Sequence, residues 1–589
     1  MAQTIQMGEQ VTAAPVETGI PRLLSALDFD GDIADQLAAY DRLLSLRVDL
    51  EPITDRDTKT TEEIAISCGY AGSGYEAAIP EWPQITRQIA ATDPERDGIA
   101  VGGGARTAAA SLTIANERSV VPNLADDDDY SASRDAWIED YDWDQRPATI
   151  AAIARRRETD EIVAGPLVIL KGKTREIGDA RDGSFTLEVA DLLDRLDRII
   201  QSVRLAGDGT GDEGGAELAG ARPPILMGTC YNMPGILVAT VPNHRYLLHR
   251  DRIGLAIQGV SAVYVGANAL TGGQYTVSLG ESNTVTITSG LDDTKQVTFT
   301  ATGPLDAGAT IADHVRYVLS VIGPLDTTEI DSDALSIFRA LTPFASGWRI
   351  GQEETYSQVL DAMTAKWAIW RSNSATGKIT ARLNIDPALD FTDYSLPLHA
   401  IRDVTPLPIT PRAASIVTGW RKNWTQVTSD GVADAALSSS DPDVAEYARW
   451  AQQPHYRIAE PLGDLIDELD PSAALPQDWE TPFLDEGEAR IIHRRIVNLF
   501  APRWRSYRVI ADARAMRFEP GSVVEFSWPR WTQTDEARAY RIQSVKILNV
   551  GGAVAVELLV SRPDDVSVLA GDTTDDYLVF DNDDPLLVA

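Results

Sequence analysis

Near the C-terminal end, RSYRVIADA (505–513), SVVEFSW (522–528), AYRIQSVKIL (539–548) and AVAVELLVSR (553–562) follow one another closely. Each alternates apolar and polar side chains, the period of a strand that buries one face. Glycine turns separate them, so the region predicts a meander that closes into a barrel or sandwich. The other end of the chain reads alike. From Leu23 to Ala125 the apolar patches are short and broken by Gly, Pro and Asp, as in strands joined by loops. GPLVILKGKTREI (165–177) and SFTLEV (184–189) read as two strands either side of a turn at 179–183. They run into ADLLDRLDRIIQSV (190–203), where Leu192, Leu193, Leu196, Ile199 and Ile200 recur at helical spacing.

The middle has a different rhythm. TIADHVRYVLSVIG (310–323) puts Ile311, Val315, Val318, Leu319 and Ile322 on one helical face, and Gly323-Pro324 stops it. TYSQVLDAMTAKWAIW (355–370) opens with a capping box from Thr355 to Gln358, and GKITARLNI (377–385) follows as a strand. Before this α/β unit, residues 272–301 alternate Thr and Val between turns, a small exposed β-module. RPPILMGTCYNMPGILV (222–238) reads as turns between domains: Gly228, Asn232, Pro234 and Gly235 supply the conformations, and Cys230 is a packing residue.

Chemistry is sparse. There is no GxxxxGK[ST], no HExxH and no GxSxG, and VGGGAR (101–106) lacks the flanking strand and helix of a phosphate loop. Asp28, Asp30 and Asp32 start like a calcium loop, but Ile33 and Ala39 stand where Gly and Glu are needed; Asp208-Thr210-Asp212 fails similarly. ADDDDY (125–130) reads as a solvated charge run. His244 and His249 bracket a short stretch without a third ligand, so no metal is expected. Cys68 and Cys230 are too far apart for CxxC chemistry and have no basic neighbour in sequence to activate a thiol. Trp420, Trp424, Trp528 and Trp531 are core or interface anchors by this reading. No run of about 18 uncharged apolar residues could span a membrane, and the first residues lack a signal peptide's basic and apolar regions. A net charge of −36, from 88 acidic against 52 basic residues, disfavours nucleic acid as a bound partner. The expectation is a structural protein rather than an enzyme, with no catalytic residues, cofactor or metal.

Several pieces occur in an order that resembles the tail hub proteins of long, non-contractile-tailed bacteriophages and gene transfer agents. They are SLTIANERSV (111–120), DYDWDQRPATI (140–150), GPLVILKGKTREI with SFTLEVADLLDRLDR (165–198), and RPPILMGTCYNMPGILV. IADHVRYVLSVIG with YSQVLDAMTAKWAIWRSNSATGKITARL, ITPRAASIVTGWRKNWT and FEPGSVVEFSWPRW continue the likeness, which covers about residues 20 to 562. Two departures stand out: Asn116-Glu117-Arg118-Ser119 lacks the family's Asp-Gly turn, and Gln145 sits where Gly is common.

The resemblance implies a β-rich α+β, multidomain chain with two β-barrel-like ring domains, a smaller α/β middle domain and a small β insertion. The corresponding division is an arm (1–20), a first hub domain (21–205), a connector with a second β segment (206–270), the insertion (271–303), the middle domain (304–395), a second hub domain (396–565) and an acidic tail (566–589). It further implies a homotrimeric ring at a virion tail tip or baseplate. Its partners would be the hexameric distal tail protein, the tape measure protein and a central fibre or tip protein. DNA would pass through the lumen without specific binding. Two other functions stay open: a receptor-binding adhesin, with 276–290 as the contact segment, and a tail-associated cell-wall hydrolase.

Overall fold

A computed structural model describes residues 42–50, 53–55, 60–61, 64–68, 86–89, 105–115, 143–156, 162–181 and 184–563, the last apart from 281, 352, 365–366, 409–414, 429–430, 433, 462–476, 501, 531–533, 535 and 551–552. The N-terminal arm, the acidic tail, ADDDDY and Asp28 to Asp32 lie outside the described residues.

The architecture is β-rich α+β with several sheets, as the alternation predicts. Its largest part is a 13-stranded sheet. The strands run in the order Ile401–Pro406, Trp504–Ala511, Ala553–Pro563, Arg538–Val550, Thr86–Ile89, Ala105–Ala115, Ser184–Ala190, Ile162–Arg181, Pro147–Arg156, Arg42–Leu50 and Ile64–Cys68. Tyr394–Ser395 and Val523–Phe526 join it off this path. The N-terminal and C-terminal β regions are therefore halves of one sheet, joined where Thr86–Ile89 pairs antiparallel with Arg538–Val550. They also share a core: Val48, Ile150, Leu170 and Leu187 pack in one cluster with Val509, Tyr540, Ile542 and Leu558.

One of the two turns singled out in the sequence falls within the described residues. Gln145 has φ +58°, the left-handed conformation that favours glycine, and its N–H donates to the Thr174 carbonyl at 2.8 Å. Gln145 thus holds a position that glycine fills more readily.

The helix expected over 190–203 is corrected. Only Leu192–Leu196 coils, as a 3₁₀ turn capped by the Asp191 carboxylate on the Leu193 N–H. Beyond it the backbone pairs sideways: Ile199 bridges to Thr355, and the Ile200 N–H donates to the Glu354 carbonyl. A bond to another segment takes the donor that a continuing helix would use. Leu192, Leu193, Leu196 and Ile200 are still buried.

Between the two halves in sequence lies the helix-rich core. Thr310 caps Ile311–Arg316 through a capping box with Asp313, and Tyr317–Val321 continues as a wider π turn. Thr355 and Gln358 cap Tyr356–Thr364 by reciprocal bonds. Ala368–Asn373 and Lys378–Leu383 form a hairpin. This core extends beyond 304–395, taking in Ile416, Ile458 and Phe483 as well as Ile492 and Ile496 of the helix Glu486–Phe500.

The stretch expected as turns, 222–238, is mostly strand, Ile225–Met233. Residues 225–228 pair with 350–347 on one side; Thr229, Cys230 and Met233 pair with Thr302, Ala301 and Phe299 on the other. The hand-over falls at Gly228, which has φ +59° and where a Cβ would lie 2.1 Å from the Ser346 carbonyl oxygen. Ile225 and Met227 belong to the helix-rich core, Leu226, Cys230 and Met233 to a neighbouring β core. It connects two cores as a shared strand, because alternating side chains reach both faces. Asn232 is left-handed, as expected of a turn former, whereas Gly235 is not among the positive-φ residues. The 271–303 insertion is likewise woven in. Tyr275–Ser278 and Thr284–Ile287 pair into a sheet with Ile236–Ala239 and His244–Leu247, while Val297–Thr302 pairs with Ile225–Met233.

Candidate functional site: two junctions and an aromatic cleft

Where the hairpin Ala368–Asn373/Lys378–Leu383 meets the long sheet, charge is buried. Arg382 spans Asp390 at 2.6 Å and Asp393 at 2.7 Å, and Arg541 from the sheet reaches Asp390 at 2.9 Å. Arg541 is 1% exposed and also donates to the carbonyls of Gly521 and Ile385. The Val523 N–H donates to Asp393. Arg371 adds bonds to the Pro520 carbonyl and the Ser522 hydroxyl. Burial alone would raise the Asp390 carboxyl, but Arg541 and Arg382 outweigh it and hold it below the ordinary carboxylate value.

The second junction is neutral. The Asn232 amide donates to Asn423 Oδ1 and to the Thr425 carbonyl, both at 2.7 Å, and the Tyr447 hydroxyl donates to Asn232 Oδ1 at 3.2 Å. Asn423 passes the chain on, donating to the carbonyls of Ala451 and Gln453 and accepting the Thr425 N–H. These amides tie the strand Ile225–Met233 to the segment 421–456.

Beside this junction lies a cleft of about 400 Å³, lined by Tyr264, Arg421, Tyr447 and Tyr456 among others, with Asp443 and Glu446 exposed at its edge. The strand Gly259–Val265 supplies Tyr264, and the helix Pro442–Trp450, capped by Asp441 with Pro442 at its first position, supplies Tyr447. The Tyr264 and Tyr447 rings stack at 4.1 Å, and Tyr456 stacks on Trp420 at 4.7 Å. Arg421 leaves the end of the strand Ser415–Trp420 at φ +49° and lays its guanidinium 4.2 Å over the Tyr231 ring. Burial, then the neighbouring Tyr264, pushes the Tyr447 phenol up, so both rings stay neutral hydroxyl donors.

The residues singled out in the sequence lie elsewhere and apart. Cys230 is fully buried in the β core, and burial pushes its thiol up to about 12, which removes its nucleophilic form. Cys68 ends the edge strand Ile64–Cys68. His244 is partly exposed on the strand His244–Leu247, whereas His249 is buried and accepts the Leu226 N–H at Nδ1. That bond leaves the Nε2 proton facing Asp251 at 3.6 Å, and Tyr317 donates to the same carboxylate at 2.8 Å. Burial would raise Asp251, yet the adjacent His249, the Tyr317 hydroxyl and the Leu255 N–H hold it at about 2. Asp208 bonds its own turn at Thr210, and Asp212 pairs with Arg245 at 3.1 Å. Trp424 meets Trp348 edge to face at 5.2 Å, with Lys422 over both rings. Trp420 stacks on Tyr456, so both tryptophans have partners within the chain; Trp528 is partly buried against the long-sheet core, and Trp531 lies outside the described residues. The sequence reading missed the cleft, since its walls come from segments far apart in sequence. Asp441-Pro442, a helix start signal, and the tyrosines that follow were its visible traces.

No protein-family model matches the chain, and no curated protein matches its sequence. Among solved structures it is similar to the tail protein from Neisseria meningitidis MC58, with TM-score 0.34 and 8% identity over 89% of this chain and 97% of that one. A 43 kDa tail protein of prophage MuSo2 from Shewanella oneidensis gives TM-score 0.34 and 9% identity over 88% and 99%. A prophage tail protein from Listeria monocytogenes EGD-e gives TM-score 0.34 and 7% identity over 89% and 97%. At this level no common fold follows, and the functional reading rests on the geometry.

Proposed function

We propose that the chain is a structural hub of a phage-type tail tip or baseplate, assembling as a trimeric ring around a DNA channel. The observation that carries this reading is the long sheet. It draws strands from both halves of the chain and, among the described residues, stops at two strands with one partner each on its path, Ile64–Cys68 and Ile401–Pro406. Open sheets of more than about ten strands tend to curl, and free edges need covering. Head-to-tail closure between copies covers both edges at once and generates a ring. Two halves per chain in three chains would present six sheet units to a sixfold distal tail ring. The tape measure protein would lie in the lumen before ejection, and a central fibre or tip protein would close the far end.

The acidity of the chain fits a channel that must not hold DNA. A basic wall would gain counterion-release free energy at each phosphate and retain the duplex. Size-exclusion chromatography with mass measurement of the full chain should give three copies, and an image of the ring should show a lumen of negative potential. A monomer at high concentration that also fails to bind its tail neighbours overturns the reading. A neutral or positive lumen overturns the account of the charge.

A further inference from the structure

We infer that the cleft between the strand Gly259–Val265 and the helix Pro442–Trp450 binds a neutral saccharide. Its volume of about 400 Å³ falls within the ~300–1,000 Å³ of small-molecule sites. Its walls combine the two surfaces that a pyranose needs. Tyr264, half-buried and backed on one face by Tyr447, offers apolar ring surface and a hydroxyl tip against which the C–H face of a sugar can lie, while the Tyr447 hydroxyl is held by Asn232. Around that platform the polar groups are of both kinds. Asp443 and Glu446 only accept hydrogen bonds, and Arg421 only donates. A hydroxyl both donates and accepts, so a polyol satisfies the two sides together.

Arg421 is the informative residue. Among the described residues it makes no ion pair, and its Nε is buried without a hydrogen-bond partner. It is held over Tyr231, with Trp450 and Tyr456 within 5.9 Å, and its backbone adopts the left-handed conformation. A non-glycine residue in that conformation is strained, and such strain gathers at ligand sites. Charge selects among ligand classes. An organic cation would meet a guanidinium already occupying the aromatic cage. An anion would meet two rim carboxylates against one guanidinium, in a chain of net charge −36. A neutral ligand rich in hydroxyls avoids both conflicts.

The test uses the full-length chain. Saturation-transfer NMR and tryptophan fluorescence would be recorded with maltose, lactose and chitobiose, and in parallel with glucuronic acid and glucosamine oligomers. At least one neutral disaccharide should saturate with Kd below about 1 mM, ahead of the acidic and basic sugars. Glu446→Gln, on the exposed rim, should weaken that binding about tenfold with little change in melting temperature, because its amide oxygen can still accept the Tyr456 hydroxyl. Tyr264→Ala should abolish it. The inference is overturned if no neutral sugar saturates, if the acidic or basic sugars bind more tightly, or if Glu446→Gln and Tyr264→Ala leave the affinity unchanged. The outcome is independent of the ring, which oligomer mass tests separately.

Discussion

The helix-rich core meets the long sheet through Arg382, Asp390, Asp393 and Arg541, whereas the strand Ile225–Met233 meets the 421–456 segment through Asn232, Asn423 and Tyr447. Both contacts are buried, and both join segments more than a hundred residues apart. They differ in what the solvent can do to them. The charged contact depends on every partner staying ionised, because a buried ion without its counter-ion loses its hydration and gains nothing back. The amide contact is neutral on both sides, so its strength follows from hydrogen-bond count alone.

The largest expected effect follows from removing the sheet's contribution to the charged contact. Arg541→Met keeps much of the side-chain volume but leaves Asp390 buried with Arg382 as its remaining cation. A loss of about 3–5 kcal/mol is expected, read from urea unfolding of the full chain. A loss under about 1 kcal/mol would mean that water already reaches Asp390, and the distinction between the two contacts would fail.

How much of this was readable in advance depends on sequence distance. Local signals held: the Thr355–Gln358 box, the apolar helical face that begins at Ile311 and the C-terminal strands are set by side chains a few residues apart. The helix at 190–203 failed because its apolar spacing suited both a helix and a chain that turns once and then pairs with Glu354 and Thr355. Periodicity cannot separate those outcomes, as the partner lies far along the chain. The sheet junction at Thr86–Ile89 and Arg538–Val550 is more remote still, and nothing local encodes it. The cleft was hidden for the same reason: Tyr264, Arg421 and Tyr447 become neighbours only after three segments converge.

The amide contact should respond less strongly. Asn423→Ala removes five bonds, to Asn232, Thr425, Trp450, Ala451 and Gln453, and strands their partners. The expected cost is about 2–3 kcal/mol, since buried amides and carbonyls are left unpaired. A cost equal to that of Arg541→Met would show that satisfied polarity, not charge, governs both contacts.

Acid should separate the two by slope rather than by size. Asp390 has a lowered folded pKa, so its contribution is fully present above the ordinary carboxylate value of 3.8 and is lost as pH falls through the folded value. The stability gap between wild type and Asp390→Asn should therefore narrow as the pH falls below about 4, while the gap for Asn423→Ala stays flat. His314 acts on every variant alike. Burial pushes its imidazole down to about 4, so stability present above 6.5 is lost as pH falls toward 4. Melting curves of the two variants and wild type from pH 7 to pH 3 read the difference directly. Parallel gaps would remove the pH argument.

The smallest effect belongs to a charge pair that is not buried. Arg490 and Glu486 lie four residues apart on the helix Glu486–Phe500, with N–O distance 2.6 Å and side chains about half exposed. Water screens them, and holding two long side chains in one geometry costs entropy, so the close distance does not imply a strong bond. Arg490→Gln should cost about 0.3–0.5 kcal/mol at low salt, and less in 1 M salt, where the screening length falls to about 3 Å. The same charge type thus differs about tenfold in consequence between this helix and Arg541, and burial is the variable that changes. A measured cost above about 1 kcal/mol for Arg490→Gln, unchanged by salt, would show that ion pairing itself stabilises this chain wherever it occurs.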